Sequence, residues 1–249
     1  MIYQKIITEL KKYQSAEKAI ILQSFFKTGP GQYGEGDKFL GVVVPNLRIV
    51  AKKFVDTDFI SLKKLINSPI HEHRLTALLI LTYKFKQAAA LEKKKQIYNF
   101  YLKYTKQINN WDLVDLSAPN IVGGYLLTRS CHPDHIHSCH SKSERRILDK
   151  LAHSKNLWEK RIAIISTFAF IKQNEFTNTL KISKMLLNDK HDLIHKAVGW
   201  MLREVGKRNS TVEESFLKEY YKAMPRTMLR YAIEKFPEKL RQKYLKGGI

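Results

Sequence analysis

Residues 74–81 read RLTALLIL, a cation followed by apolar positions broken by small side chains. The same order, a charged residue, then a small one, then an apolar run, returns in DLSAPNI (115–121), RIAIIST (161–167), KAVGWML (196–202) and RYAIEKF (230–236). The leading residues Arg74, Asp115, Arg161, Lys196 and Arg230 lie 41, 46, 35 and 34 positions apart, the period of two-helix repeats. Small residues let one helix approach the next, so each pair buries its apolar face against its neighbours and a curved α-solenoid follows. Equivalent helices then bring the five leading residues near the concave face, which is mostly cationic with one carboxylate in the middle. The alternative for any single arginine is that it pairs with an acid of the adjoining repeat.

Outward from these segments, apolar residues recur at helical spacing along nearly the whole chain, and the one β-like run, 42–44, stops at Pro45. The fold expected is all-α, a curved solenoid of HEAT/armadillo-like two-helix repeats with a basic concave face. One repeat domain spans residues 1–249. Residues 1–67 form an N-terminal helical cap with a Gly-rich loop at 28–41, residues 68–249 the repeats, and residues 130–142 a His/Cys-rich insertion. Pro45 and Pro69 suit a first helical position, and Ser210 with Glu213 has capping-box spacing.

The 249 residues carry 44 Lys and Arg against 23 Asp and Glu, a formal charge of +21 that selects polyanionic partners. Two Cys exclude a disulfide scaffold and leave a reducing cytoplasm as the expected compartment. No apolar run reaches the roughly 18 residues of a membrane span. Residues 1–13, with Lys5, Glu9, Lys11 and Lys12, read as an amphipathic helix rather than a signal peptide, so a soluble, unexported protein is expected.

Chemistry concentrates in INNWDLVDL, residues 108–116. On a helix beginning near Asn110, Trp111 and Asp115 share one face. Asp112 sits in the first turn, where the helix dipole favours a carboxylate, and is read as structural. Asp115, past that reach and beside an indole, is the chemical candidate. Trp200 shares a helix face with Lys196, Arg203 and Lys207 and reads as facing a partner, since an indole stacks on sugar or base while the cations hold phosphates. Trp158, flanked by Leu157 and Ile162, reads as core. In the Gly-rich loop, Gly31 and Gly36 have P-loop spacing, but Asp37 stands where Lys is required. The loop is therefore a turn, with Tyr33 and Phe39 as candidate DNA contacts and Arg48 as a phosphate contact. The stretch SCHPDHIHSCHSK at 130–142 has a composition that could bind zinc, but neither C-x-x-C nor H-x-x-x-H spacing, and reads as a solvated loop.

Four stretches together, FFKTGPGQYGEGDKFLGVVVPNLR (25–48), NNWDLVDLSAPNIVGGYL (109–126), LWEKRIAIISTFAFI (157–171) and KAVGWMLREVGKR (196–208), resemble the AlkD-like DNA alkylation repair glycosylases. The resemblance runs almost end to end and departs at 130–142. It implies HEAT-like repeats, hydrolytic removal of positively charged N3- or N7-alkylated purines from duplex DNA in base excision repair, no cofactor or metal, a monomer, and a cytoplasmic enzyme working on the bacterial nucleoid. It implies Asp115 as the carboxylate acting at the sugar, with Trp111 and Trp200 beside it and Arg161 on the phosphate backbone. Arg48, Arg74, Lys196, Arg203, Lys207 and Arg230 complete the expected DNA contacts.

Elementary chemistry agrees. A purine alkylated at N3 or N7 is already cationic and leaves without protonation, so one carboxylate suffices to stabilise an oxocarbenium-like sugar without a deep base-flipping pocket. Should an acid be needed, His71, His73 or the His-rich loop at 130–142 are the first places to look. The competing expectation is a non-catalytic HEAT-repeat scaffold that binds nucleic acid or an acidic protein.

Overall fold

The computed structural model describes residues 2–130 and 139–249. Among these the regular elements are helical, and the one β-type contact is an isolated parallel bridge between Lys38 and Ile70. The expected all-α class is what the chain adopts. No helix among the described residues is long and apolar enough to cross a membrane. The chain divides into two compact units, Met1–Ile121 and Val122–Ile249.

The first unit holds α1 (Ile2–Lys11), α2 (Ala16–Phe25), α3 (Val44–Lys53), α4 (Phe59–Ile66), α5 (His71–Gln87), α6 (Leu91–Lys103) and α7 (Trp111–Ala118). Helix α5 is its axis and packs on α3, α4, α6 and α7. From His71 to Thr82 every residue of α5 is buried, so it is enclosed on all sides and each polar group on it needs a partner from another element. Pro45 lies in the first turn of α3, as expected. Pro69 does not open α5: Ile70 after it is extended and bridges Lys38, whose N–H donates to the Pro69 carbonyl at 3.2 Å, and the helix begins at His71. Gly41 has φ near 79°, and a Cβ there would overlap the Ser15 carbonyl at the head of α2, so the loop passes that helix only as glycine.

Helix α7 runs into a π-helical turn, Pro119–Gly123, at the division between the units. The second unit continues with α8 (Gly124–Ser130), α9 (Cys139–Ala152), α10 (Leu157–Ser166), α11 (Phe168–Ile171), α12 (Thr177–Met185), α13 (Asp192–Gly206), α14 (Ser210–Tyr220), α15 (Arg226–Ala232) and α16 (Glu238–Lys246). Helix α13 is its centre, in contact with α10, α12, α14 and α15. The five repeated segments fall on α5, α7, α10, α13 and α15, with α5 packed on α7 and α13 on both α10 and α15. Small residues act there as expected: a Cβ on Gly199 of α13 would overlap the Met228 carbonyl of α15.

The expected capping box at Ser210 is replaced. Asn209 caps α14, its side chain accepting from Val212 N–H at 3.1 Å, and Glu213 turns inward against Gly206. Burial pushes the Glu213 carboxyl up to about 8, reinforced by the charge of Glu214, so it is protonated at neutral pH.

Candidate active site

Asn110, fully buried, caps α7 by accepting from Trp111 N–H at 2.8 Å. That fixes Trp111 as the first helical residue and sets which face each later residue takes. Asp112, Leu113, Val114, Ser117 and Ala118 are buried, whereas Trp111, Asp115, Leu116 and Asn120 keep partial exposure. The pair singled out by four-residue spacing therefore shares the reachable stripe of the helix. The buried side of α7 is tied to α6: Ser117 Oγ donates to the Leu113 carbonyl, which leaves the Tyr101 hydroxyl to donate to Ser117 Oγ at 3.0 Å. Burial raises the Tyr101 hydroxyl far above its ordinary range, and the nearby Asp115 charge adds to this against the Ser117 hydrogen bond. The phenol stays neutral beside Asp115.

Trp111 sits in an aromatic nest supplied by the end of α2 and the loop after it. Phe26 stacks on the indole at 5.2 Å between centroids, Phe25 meets it edge-on at 5.9 Å, and indole Nε1 donates to Tyr33 Oη at 3.3 Å. Tyr33 and Phe39, expected to face DNA, serve this nest. Phe39 stacks on Phe26 and, at 4.7 Å, on the imidazole of His71.

Beneath the nest lies a row of alternating charges. Arg74 Nη2 donates to Asp37 Oδ1 at 2.6 Å, His71 Nδ1 to Asp37 Oδ2 at 3.0 Å, and His71 Nε2 to Asp112 Oδ2 at 2.8 Å. Burial by itself would lower the His71 pKa. The Asp112 charge and the hydrogen bonds to Asp112 and Asp37 overcome it and raise the imidazole to about 9, so both ring nitrogens are donors at neutral pH. Asp37 resists the upward push of burial through its bond to His71 and the Arg74 charge, and is held below the usual carboxylate range. Next along α5, Glu72 accepts from the N–H groups of Leu40, Gly41 and Val42 at 2.8 to 3.2 Å. His73 is lowered to about 4 by burial and by the Arg74 and Lys11 charges, and its neutral ring meets Ser68 Oγ at 2.9 Å.

Two expectations are corrected here. Arg74 does not face a DNA surface: it is 4% exposed and spends its guanidinium on Asp37 and the Ser68 carbonyl, because α5 is enclosed. Asp112 is more than a dipole partner, being the 6% exposed counter-ion of His71. His71, Asp37 and Glu72 escaped the sequence reading as a framework. The available signal was HEHR at a helix start.

In the second unit, Arg161, expected on the phosphate backbone, is instead 5% exposed and turned inward, its Nη1 donating to the Leu193 carbonyl at 2.5 Å. Trp158 is buried, as expected. Trp200 is half-buried and lies 6.1 Å from Phe168, over which Lys172 places its ammonium at 4.5 Å. Its Nε1 donates at 3.1 Å to Glu204, a carboxylate the sequence reading passed over. Glu204 also takes Lys207 at 2.7 Å and Arg203 at 3.5 Å, and Arg203 reaches Glu234, so these two cations are paired within the unit. Lys196 pairs with Asp192 at 2.7 Å, while Arg48 and Arg230 are exposed. Residues 131–138 of the His/Cys-rich stretch lie outside the described residues.

The family described as DNA alkylation repair enzyme matches residues 6–236. Among solved structures, one described as a predicted DNA alkylation repair enzyme from Enterococcus faecalis is similar with a TM-score of 0.67 at 16% identity, covering 90% of this chain and 97% of that one. At that identity the likeness speaks for the fold. Among curated proteins none matches significantly.

Proposed function

The chain belongs to the DNA alkylation repair enzyme family, and from that premise we propose that it is a DNA glycosylase releasing positively charged N3- or N7-alkylated purines from duplex DNA in base excision repair. The observation that carries this reading is the division of labour on α7: Trp111 and Asp115 share the reachable stripe, while Asp112 is turned inward and bound to His71. A single carboxylate beside an indole suits a leaving group that needs no acid. The C1′–N bond breaks, its electron pair departs with the base and neutralises it, and the sugar is left cationic. Asp115 stabilises that charge and accepts a proton from the water that adds to C1′. At an effective dielectric near 20, a charge pair at about 4 Å contributes about 4 kcal/mol, roughly a thousandfold in rate.

Trp111 lies against the deoxyribose and attracts the cationic nucleotide through its ring face. In the second unit Trp200 is assigned to a stacking contact with the DNA, and Lys196 and Arg230, with Arg48 of the first unit, to phosphates. No cofactor takes part. The enzyme works as a cytoplasmic monomer on the chromosome.

The test is single-turnover incubation with duplexes carrying one 3-methyladenine or 7-methylguanine. Release of free base, leaving an abasic site, is expected, with a loss of roughly a thousandfold in Asp115→Asn at unchanged or tighter DNA affinity. Tight duplex binding with no base release by the unaltered protein would leave the scaffold reading in place.

A further inference from the structure

We propose that His71 is the positioning residue for Trp111: bonded at both ring nitrogens and packed on Phe26, it fixes the plane in which the indole meets its substrate. The consequence for rate rests on the glycosylase reading, whereas the consequence for the indole does not.

The geometry makes a short mechanical chain. The His71 ring cannot spin, because Nδ1 is held by Asp37 from the Gly-rich loop and Nε2 by Asp112 from α7. Phe26 lies between this fixed ring and the indole, 4.9 Å from the imidazole and 5.2 Å from Trp111. The other supports of Trp111 are weaker. Its Nε1 bond to Tyr33 is long at 3.3 Å, and Phe25 is itself 60% exposed.

The charged groups facing His71 are Asp37 from the loop, Asp112 from α7 and Arg74 from its own helix, and Phe26 and Phe39, themselves stacked at 5.2 Å, pack against its ring at 4.9 and 4.7 Å. A buried cation of this kind costs desolvation that an apolar side chain of equal volume would not, so stability alone gives it little reason to be there. What it adds is direction: an apolar ring in its place would pack as well but could rotate.

The test uses the near-ultraviolet circular dichroism band of Trp111, defined as wild type minus Trp111→Phe. His71→Gln is expected to lose that band while unfolding cooperatively. Its single-turnover base release should fall about tenfold, the scale of a small misplacement, with affinity for undamaged duplex within about twofold. Phe26→Leu, which cuts the chain without touching a buried charge, should reproduce both effects, and with Asp37→Asn it carries the test if His71→Gln fails to fold. In a Trp111→Ala background, adding His71→Gln should change the rate less than about twofold, since the residue it positions is gone. An intact Trp111 band in a folded His71→Gln, or in Phe26→Leu or Asp37→Asn where His71→Gln does not fold, or full additivity with Trp111→Ala, overturns the proposal. If the wild type releases no base at all, the glycosylase reading fails separately and the dichroism band alone decides the role of His71.

Discussion

Asp112 and Asp115 stand three positions apart on one helix and face opposite environments, so their amides should fail differently. Asp112→Asn strips a buried imidazolium of its partner, and a loss of about 3–5 kcal/mol in urea unfolding is expected, well beyond the helix-start effect its position suggests. Asp115→Asn, at a partly exposed position, should move that midpoint less. His71 makes the same framework pH-dependent. Its folded pKa, near 9, lies above that of an unfolded histidine, so its contribution to stability is complete below about 6.5 and disappears as pH rises through 9. The unfolding midpoint of the wild type should fall across that window, and that part of the fall should be absent in His71→Gln. Trp111 and Asp115 were legible in the sequence because a four-residue spacing on a helix is a local fact. His71 was not, because its two partners lie 34 and 41 residues away and a polar helix start looks solvated until the helix is known to be enclosed.

At the scale of elements, α13 against α15 is the closest test of the repeat logic. Gly199→Ala sets a methyl against the Met228 carbonyl, a backbone atom that cannot swing aside, and should cost about 1–3 kcal/mol by urea unfolding. The small residue inside KAVGWML was legible for this reason: it recurs at the point where neighbouring helices must touch. The start of α14 was misread because Ser210 and Glu213 satisfy the capping-box spacing, yet Asn209 caps better and Glu213 is drawn into the space beside Gly206. Burial with the Glu214 charge gives Glu213 a folded pKa near 8, above its unfolded value, so the unfolded chain releases this proton first and stability declines as pH rises from about 4.5 through 8. Glu213→Gln should flatten that decline when urea midpoints at pH 5 and pH 8 are compared.

Over the whole molecule, the charge of +21 calls for steeply salt-dependent binding of undamaged duplex DNA. Not every cation contributes equally. Arg48→Ala and Arg230→Ala, at exposed positions, should each lower the slope by about one contact. Arg203→Ala and Lys207→Ala should lower it less, because each removal also releases an acid, and Arg74→Ala should destabilise the protein without changing the slope. Selectivity follows from Asp115, the carboxylate that α7 leaves reachable beside Trp111. In a panel of duplexes with one defined lesion each, cationic 3-methyladenine and 7-methylguanine should be released and uracil or hypoxanthine retained. Release of a neutral base would mean an acid is at work, and His71, the protonated imidazole, would be the first to substitute. Glu72, finally, gives up its water only when amides 30 to 32 residues earlier in the chain close over it. Such a closure follows the helices that present it, so the loop locks after the folding barrier rather than before it. In stopped-flow experiments Glu72→Gln should therefore speed unfolding while leaving the folding rate nearly untouched.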